Sequence, residues 1–226
     1  VKYYLIYHLK FCGGENVYLV GNNGSGKSTL IKALLGFLEY EGEIFLGQDN
    51  VKKLGNSTVR NYVGTVFQEP FIFSDTVKNN VDVLEKYNNE EIEKVCKICE
   101  IDKDIQEFPN KYNEILGERG INLSGGQKQR ISIARILLLN KKIIIFDDSL
   151  SKIDNITKEK IKDNLEKYNN EIIKIYITQD LSKIPDEAKV FFIDKKRIVI
   201  DKQKNLINNN ENYSKLINIC KNMMEE

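Results

Sequence analysis

Tryptophan is missing from this 226-residue chain, and histidine appears once, as His8. No charge of one sign dominates. With 34 Lys and Arg against 33 Asp and Glu the net charge is +1, a balance that gives no case for a nucleic-acid partner. Long apolar runs are absent as well: stretches such as residues 136–139 and 143–146 fall far short of the roughly 20 residues a helix needs to cross a bilayer. The chain is therefore not expected to span a membrane by itself. It opens at Val1 with no charged-then-apolar leader, and reads as a piece of a longer polypeptide rather than a secreted protein. Cysteine is scarce, and four in a chain of this size make no disulfide framework. Cys96 and Cys99 form a CxxC, but without a second pair or further histidines no zinc site is expected. Both lie in "EEIEKVCKICEI", whose spacing is helical, so they are read as packed thiols in a reduced compartment. No internal repeat is present.

What is there alternates between two periods. The length allows one large domain or one domain with a small lobe. "ENVYLVGNNGSGKSTLIKALLGFL" reads as a strand over residues 17–20, a glycine-rich turn, and a helix with Leu30, Ile31, Leu34 and Leu35 on its apolar side. "GEIFLGQDN" and "YVGTVFQ" are predicted as further strands. Residues 77–116, rich in Glu, Lys and Asn, are predicted as helices of a separate lobe. "GGQKQRISIARILLL" then predicts a helix, "KKIIIFDD" a buried strand, "TKEKIKDNLEKY" a polar helix, and "EIIKIYIT" and "AKVFFID" two more strands. The asparagine-rich tail from residue 208 is read as a loop followed by an amphipathic helix. Strands alternating with helices imply an α/β fold with a mostly parallel sheet covered on both faces.

The strongest local motif runs from Gly21 through Asn23, Gly24, Ser25, Gly26, Lys27 and Ser28 to Thr29, a complete G-x-x-x-x-G-K-[ST]. Its glycines let backbone N–H groups converge on a polyphosphate, and the helix that follows favours negative charge at its N-terminus. Lys27 can reach the β and γ oxygens of ATP, and Ser28 can hold Mg²⁺. Asp147, at the end of the apolar strand "IIIFD", suits a second magnesium ligand of the Walker B kind.

Between these two lies "LSGGQKQR", and here the sequence resembles the ATP-binding cassette (ABC) ATPases over essentially its whole length. The motifs come in that family's order: phosphate loop, Gln68 of "VFQEP" at the Q-loop, LSGGQ signature, Walker B, then "SKID" at the D-loop. A Ser-Gly-Gly turn opening a helix is a second anion cradle. The resemblance implies a P-loop NTPase core of RecA-like type with a mostly parallel sheet, an antiparallel β subdomain and an α-helical signature subdomain. These would form one domain over residues 1–226. Its core lobe would span about 1–76 and 140–206, its helical lobe about 77–139 and a last helix about 212–224. It further implies that Ser124, Gly125, Gly126 and Gln127 bind the γ-phosphate held by a second cassette, so that two cassettes enclose two ATP. Gln68 would join Ser28 and Asp147 at Mg²⁺. An aromatic residue near the N-terminus would stack on adenine; Tyr4 is favoured over Tyr3 and Tyr7, with an edge-strand role the equal alternative.

The stretch between Gln68 and Leu123 is too short for the long coiled coil of chromosome-organising relatives and carries no sustained heptads. "GERG", just before the signature, is similar to the X-loop of ABC exporters, which touches transmembrane coupling helices. The exporter resemblance implies membrane domains N-terminal to this cassette on the same polypeptide, and a place on the cytoplasmic face of a membrane. Two positions depart from the family. Asp148 stands where most cassettes have Glu, and Gln179 where they have a switch histidine. A carboxylate one C–C bond short sits about 1.5 Å from where a glutamate would place it. A glutamine cannot carry charge. Together these resemble the degenerate, slowly hydrolysing site of heterodimeric exporters. Two other readings stay open: a homodimeric ATPase in which Asp148 is a competent base, and a cassette that binds ATP in a regulatory dimer without transport.

Overall fold

The computed structural model describes residues 6–194 and 197–222. In chain order its elements begin with β1 (Ile6–Phe11), β2 (Asn16–Val20), α1 (Lys27–Leu34), β3 (Glu41–Leu46), β4 (Asp49–Asn50), α2 (Val51–Leu54), α3 (Asn56–Tyr62) and β5 (Val63–Val66). Next come α4 (Val77–Val81), α5 (Asn89–Ile98), α6 (Asp102–Glu107), α7 (Gly125–Leu138), β6 (Ile143–Asp147) and α8 (Asn155–Tyr168). The chain ends with β7 (Ile173–Ile177), β8 (Lys189–Asp194), β9 (Arg197–Lys202), α9 (Gln203–Asn209) and α10 (Glu211–Asn222). Two compact units divide it: residues 1–63 with 171–226, and residues 64–170.

In the first unit β2 is the central strand. It runs parallel to β7 on one side and β8 on the other, with Tyr18 opposite both Tyr176 and Val190. β9 closes the edge antiparallel to β8. Val17, Leu19 and Val20 are almost wholly buried, as expected of a parallel strand covered on both faces. α1 buries Leu30, Ile31 and Leu34 around one small apolar pocket with Phe11, Leu19 and Phe191, which fixes where the helix begins relative to β2. A second sheet of three strands is mixed: β1 pairs parallel with β3, and β3 pairs antiparallel with β4.

Two stretches differ from the sequence reading. β9 and α9 form where it places no element, and α9 takes Asn208 and Asn209 into helix. The loop is the single residue Asn210, whose side-chain oxygen accepts the Tyr213 N–H at 3.0 Å and starts α10. An asparagine run is ambiguous between loop and cap, because the same side chain serves both.

The second unit is mainly helical, with β6 beside β5. α5 opens on a capping box in which Asn88 and Glu91 exchange side chain and backbone, and it buries Ile92, Val95 and Cys96. α7 is the spine of this unit, burying Ile131, Ile133, Ala134, Leu137 and Leu138. Arg135 on α7 donates to the carbonyls of Asn80 at 2.7 Å and Phe71 at 2.9 Å. The buried side chain of Asn80 clasps both the N–H and the carbonyl of Phe73. The chain that follows Gln68 is thereby pinned to α4 and α7.

Candidate nucleotide site

The phosphate-loop residues connect β2 to α1. Gly21 has φ 153°, and a Cβ there would lie 2.5 Å from the Ile193 carbonyl oxygen and 2.7 Å from Ser25 Oγ, so only glycine fits. Gly24 and Gly26 also have positive φ, but a Cβ at either would meet nothing within 4 Å. There it is the backbone conformation, not crowding, that asks for glycine. The open space beside them is where the first N–H groups of α1 are left over by the helix. No acidic residue occupies the first turn of α1 to compete with an anion. Lys27 Nζ donates to the carbonyls of Gly21 at 2.7 Å and Asn22 at 3.0 Å, arching the ammonium over the loop. Ser25 Oγ is buried without a hydrogen-bond partner. Asn23 and Ser28 are exposed, and Thr29 is half-buried. Open space, convergent donors, a cation and an unsatisfied hydroxyl fit a polyphosphate.

In the same unit Gln179 follows β7 with an exposed side chain. Its carbonyl accepts from Cys220 Sγ of α10 at 3.3 Å. Two residues on, the Leu181 carbonyl accepts from Gln203 Nε2 at 3.1 Å, and Gln203 is in turn bonded to the buried Tyr213 hydroxyl. The C-terminal helices thus hold the Gln179 loop. Tyr4 lies outside the described residues.

In the second unit β6 ends on Asp147, half-buried, and Asp148 follows with φ 47°. Left-handed backbone is unusual for a residue with a side chain, and aspartate is one of the few that adopt it readily. Gln68 Nε2 donates to Asp148 Oδ2 at 3.2 Å, so the two candidate catalytic residues of this unit are in contact. Ser151 Oγ donates to the Asp148 carbonyl at 2.7 Å and steadies the turn. The residue that sequence reading passed over is Gln129. It is fully buried on α7, and its Nε2 donates to the carbonyls of Phe67 at 3.2 Å and Gln68 at 2.5 Å, fixing the backbone from which Gln68 reaches out. Its signal was a polar residue on the apolar stripe that continues through Ile133 and Leu137.

The signature residues start α7. Ser124 is the N-cap: its hydroxyl accepts the Gln127 N–H at 3.2 Å, while its own N–H donates to Gln127 Oε1 at 2.9 Å. Fourteen residues of helix stand behind this turn, so its free N–H groups carry the full dipole. A Cβ on Gly126 would lie 3.1 Å from the Lys152 carbonyl oxygen, and one on Gly125 3.4 Å from Lys152 Cδ. The D-loop therefore lies on the signature glycines. Asp154 caps α8 by accepting the Thr157 N–H at 2.9 Å, which holds its carboxyl below the usual range. In "GERG" Glu118 and Arg119 are exposed, and Gly120 is packed so closely that a Cβ would reach Ile72 at 2.9 Å.

Comparison with known proteins identifies the family. A family model described as ABC transporter matches residues 6–151. The pediocin PA-1 transport/processing ATP-binding protein PedD of Pediococcus acidilactici is 38% identical over 209 residues, 90% of this chain and 29% of that protein. The ATP-binding cassette sub-family B member 5 of Homo sapiens is 38% identical over 179 residues, 78% of this chain and 14% of that protein. The solved structure of a bacterial Atm1-family ABC exporter with ATP bound is similar with a TM-score of 0.83 and 29% identity, over 90% of this chain and 36% of that one. The chain thus spans between 14% and 36% of the length of these relatives.

Proposed function

The chain belongs to the ABC transporter family, and from that membership we propose that it is the nucleotide-binding domain of an exporter, binding Mg-ATP and hydrolysing it to drive transport. The observation that carries this reading is the loop between β2 and α1, with left-handed Gly24 and Gly26 opening onto free space and Lys27 drawn over the loop carbonyls. On binding, Lys27 exchanges two neutral carbonyl acceptors for phosphate oxygens of full charge, a stronger pairing. Ser28, Gln68 and Asp147 supply oxygen atoms of the kind magnesium prefers. The ion, when bound, neutralises charge on the transferred phosphoryl group. Asp148 accepts the proton of the attacking water, Gln68 holds that carboxylate, and Gln179 donates a hydrogen bond toward the γ-phosphate.

This catalytic set is weak. The Asp148 carboxylate is short by about 1.5 Å relative to a glutamate, and misplacement on that scale can cost on the order of a hundredfold in rate. Gln179 offers a dipole where a cation would stabilise developing charge better. The signature of this chain is complete by contrast, so in a head-to-tail pair with a second cassette it completes the partner's site. We place the membrane domains N-terminal on the same polypeptide, at the cytoplasmic face, which fits relatives several times longer than this chain. No described helix is itself long and apolar enough to cross a membrane. One observation favours the second reading, a homodimer with a working Asp148: the Gln68 hydrogen bond at 3.2 Å orients that carboxylate as a base would need.

Substituting Lys27→Ala removes the loop's only side-chain cation and should weaken Mg-ATP binding at least about tenfold, a charge-assisted hydrogen bond being worth ~1.5–3 kcal/mol. Calorimetric titration of the protein with Mg-ATP measures it. Unchanged affinity would contradict the assignment.

A further inference from the structure

The first turn of α7 is held from outside its own helix. Gln127 uses both ends of its amide. Oε1 accepts the Ser124 N–H at 2.9 Å, and Nε2 donates to Asp104 Oδ1 at 2.9 Å. Asp104 belongs to α6 and is part of no motif in the sequence. Arg130 grips the same carboxylate from the other side, with Nη1 to Oδ2 at 2.9 Å and Nη2 to Oδ1 at 3.2 Å. Its remaining donors reach the Glu100 carbonyl and, at 3.4 Å, the Gly126 carbonyl. The side chains of Arg130 and Asp104 are 14% and 26% exposed, so water competes only partly for these bonds.

The chemistry fixes which way the Gln127 amide points. Turned over, it would set its oxygen against the Asp104 carboxylate and its NH₂ against the Ser124 N–H, replacing two attractions with two repulsions. The direction of the amide is therefore imposed by a negative charge on another helix. Both heteroatoms of the Gln127 amide are thus engaged within the protein, the oxygen by Ser124 and the nitrogen by Asp104.

We infer that Asp104 is the positioning residue of the signature turn. It orients the Gln127 amide, the amide holds the Ser124 backbone, and the Ser124 hydroxyl and the N–H groups of Gly125 and Gly126 are thereby set for a phosphate. The inference rests on the reading that Ser124 completes a nucleotide site. Sites that act by preorganised donors lose rate when the donors are loosened, even though substrate still binds.

The contact allows its donor and acceptor to be exchanged. Asp104→Asn leaves one oxygen where Gln127 and Arg130 need two acceptors. Gln127→Glu sets carboxylate against carboxylate. In the double variant the amide introduced at position 104 can donate to the carboxylate introduced at position 127 while its oxygen keeps Arg130, and a glutamate is a natural closing residue for a capping box. The test measures these three variants in the full-length protein assembled with its partner cassette. It follows ATPase turnover, KM, thermal midpoint and hydrogen exchange of the 123–128 amides. Each single variant should lower kcat about tenfold with KM little changed, the loss expected for one charge-assisted hydrogen bond, and should speed exchange at Ser124. The double variant should recover most of both. Additive losses in the double variant, or unchanged exchange in the singles, would overturn the inference. Ser124→Asp separates it from the site reading. If that variant stops turnover while the Asp104 and Gln127 variants leave it untouched, the inference falls and the site reading stands. If Ser124→Asp also leaves turnover intact, the site reading falls and the inference with it.

Discussion

At Gly21, Gly24 and Gly26 one residue type answers two different demands. Gly21 is glycine because a Cβ would strike the Ile193 carbonyl oxygen at 2.5 Å, whereas Gly24 has room for a methyl group and lacks only a favourable backbone angle, with φ 76°. Left-handed backbone costs an ordinary residue about 1–2 kcal/mol, so Gly24→Ala should lower stability by about that much and leave the fold intact. Gly21→Ala adds a collision with backbone that cannot rotate away, and should cost clearly more. Thermal unfolding of the two variants side by side checks this; equal losses would mean that β8 yields at Ile193. The phosphate-loop residues could be recognised from their spacing, but that difference could not, because steric fit depends on β8, far along the chain. Asp148 is a similar case. Its identity as a short acid could be read directly, while its left-handed backbone and its bond to Gln68 depend on a turn that only the folded chain forms.

Elements with a strong period were legible, and those built on caps or edges were not. α5 and α7 each carry an apolar stripe behind a capping box, so both could be placed from sequence. β9 is an exposed edge strand with a weak alternation, and the α9–α10 break turns on one asparagine side chain. The interior of α5 makes a further prediction. Burial pushes the Cys96 thiol up to about 12; the carboxylates of Asp102 and Glu93 add to this, and a hydrogen bond with Tyr112 opposes it. Cys99, at the end of α5, is likewise pushed well above the usual thiol range by burial. A raised folded pKa means that the folded chain keeps its proton where the unfolded chain, with a thiol near 8.5, has lost it. The stabilising contribution is thus fully present below about pH 8.5 and is lost as pH rises toward 12, with a slope of up to ~1.4 kcal/mol per pH unit per thiol. Denaturant unfolding between about pH 8.5 and 11 should therefore show a steeper loss for wild type than for Cys96→Ala. Parallel slopes would show that Cys96 is wetter than its 0% exposure indicates.

For the molecule as a whole, we propose an asymmetry between two nucleotide sites. In that proposal this chain would lend a complete signature to a partner's nucleotide, while its own acid and switch residue would serve its own nucleotide poorly. The family could be recognised from the order of the motifs, since five short patterns in sequence leave little room for another fold. What supports the signature and the Gln68 backbone could not be read, because Asp104 and Gln129 respectively act through contacts that span many residues of chain. Two substitutions isolate the two halves of the claim. Ser124→Asp keeps a good N-cap for α7 but sets a negative charge where the γ-phosphate would approach. Asp148→Asn keeps a residue at ease with φ 47° and an oxygen for Gln68, and removes only the base. The deciding measurement is the steady-state ATPase rate of each variant in the full-length protein assembled with its partner cassette. Ser124→Asp should lower turnover by about a hundredfold or more, as loss of a transition-state donor does, while Asp148→Asn should leave most of it. If Asp148→Asn is the more damaging change, Asp148 is a working base and the asymmetry does not exist.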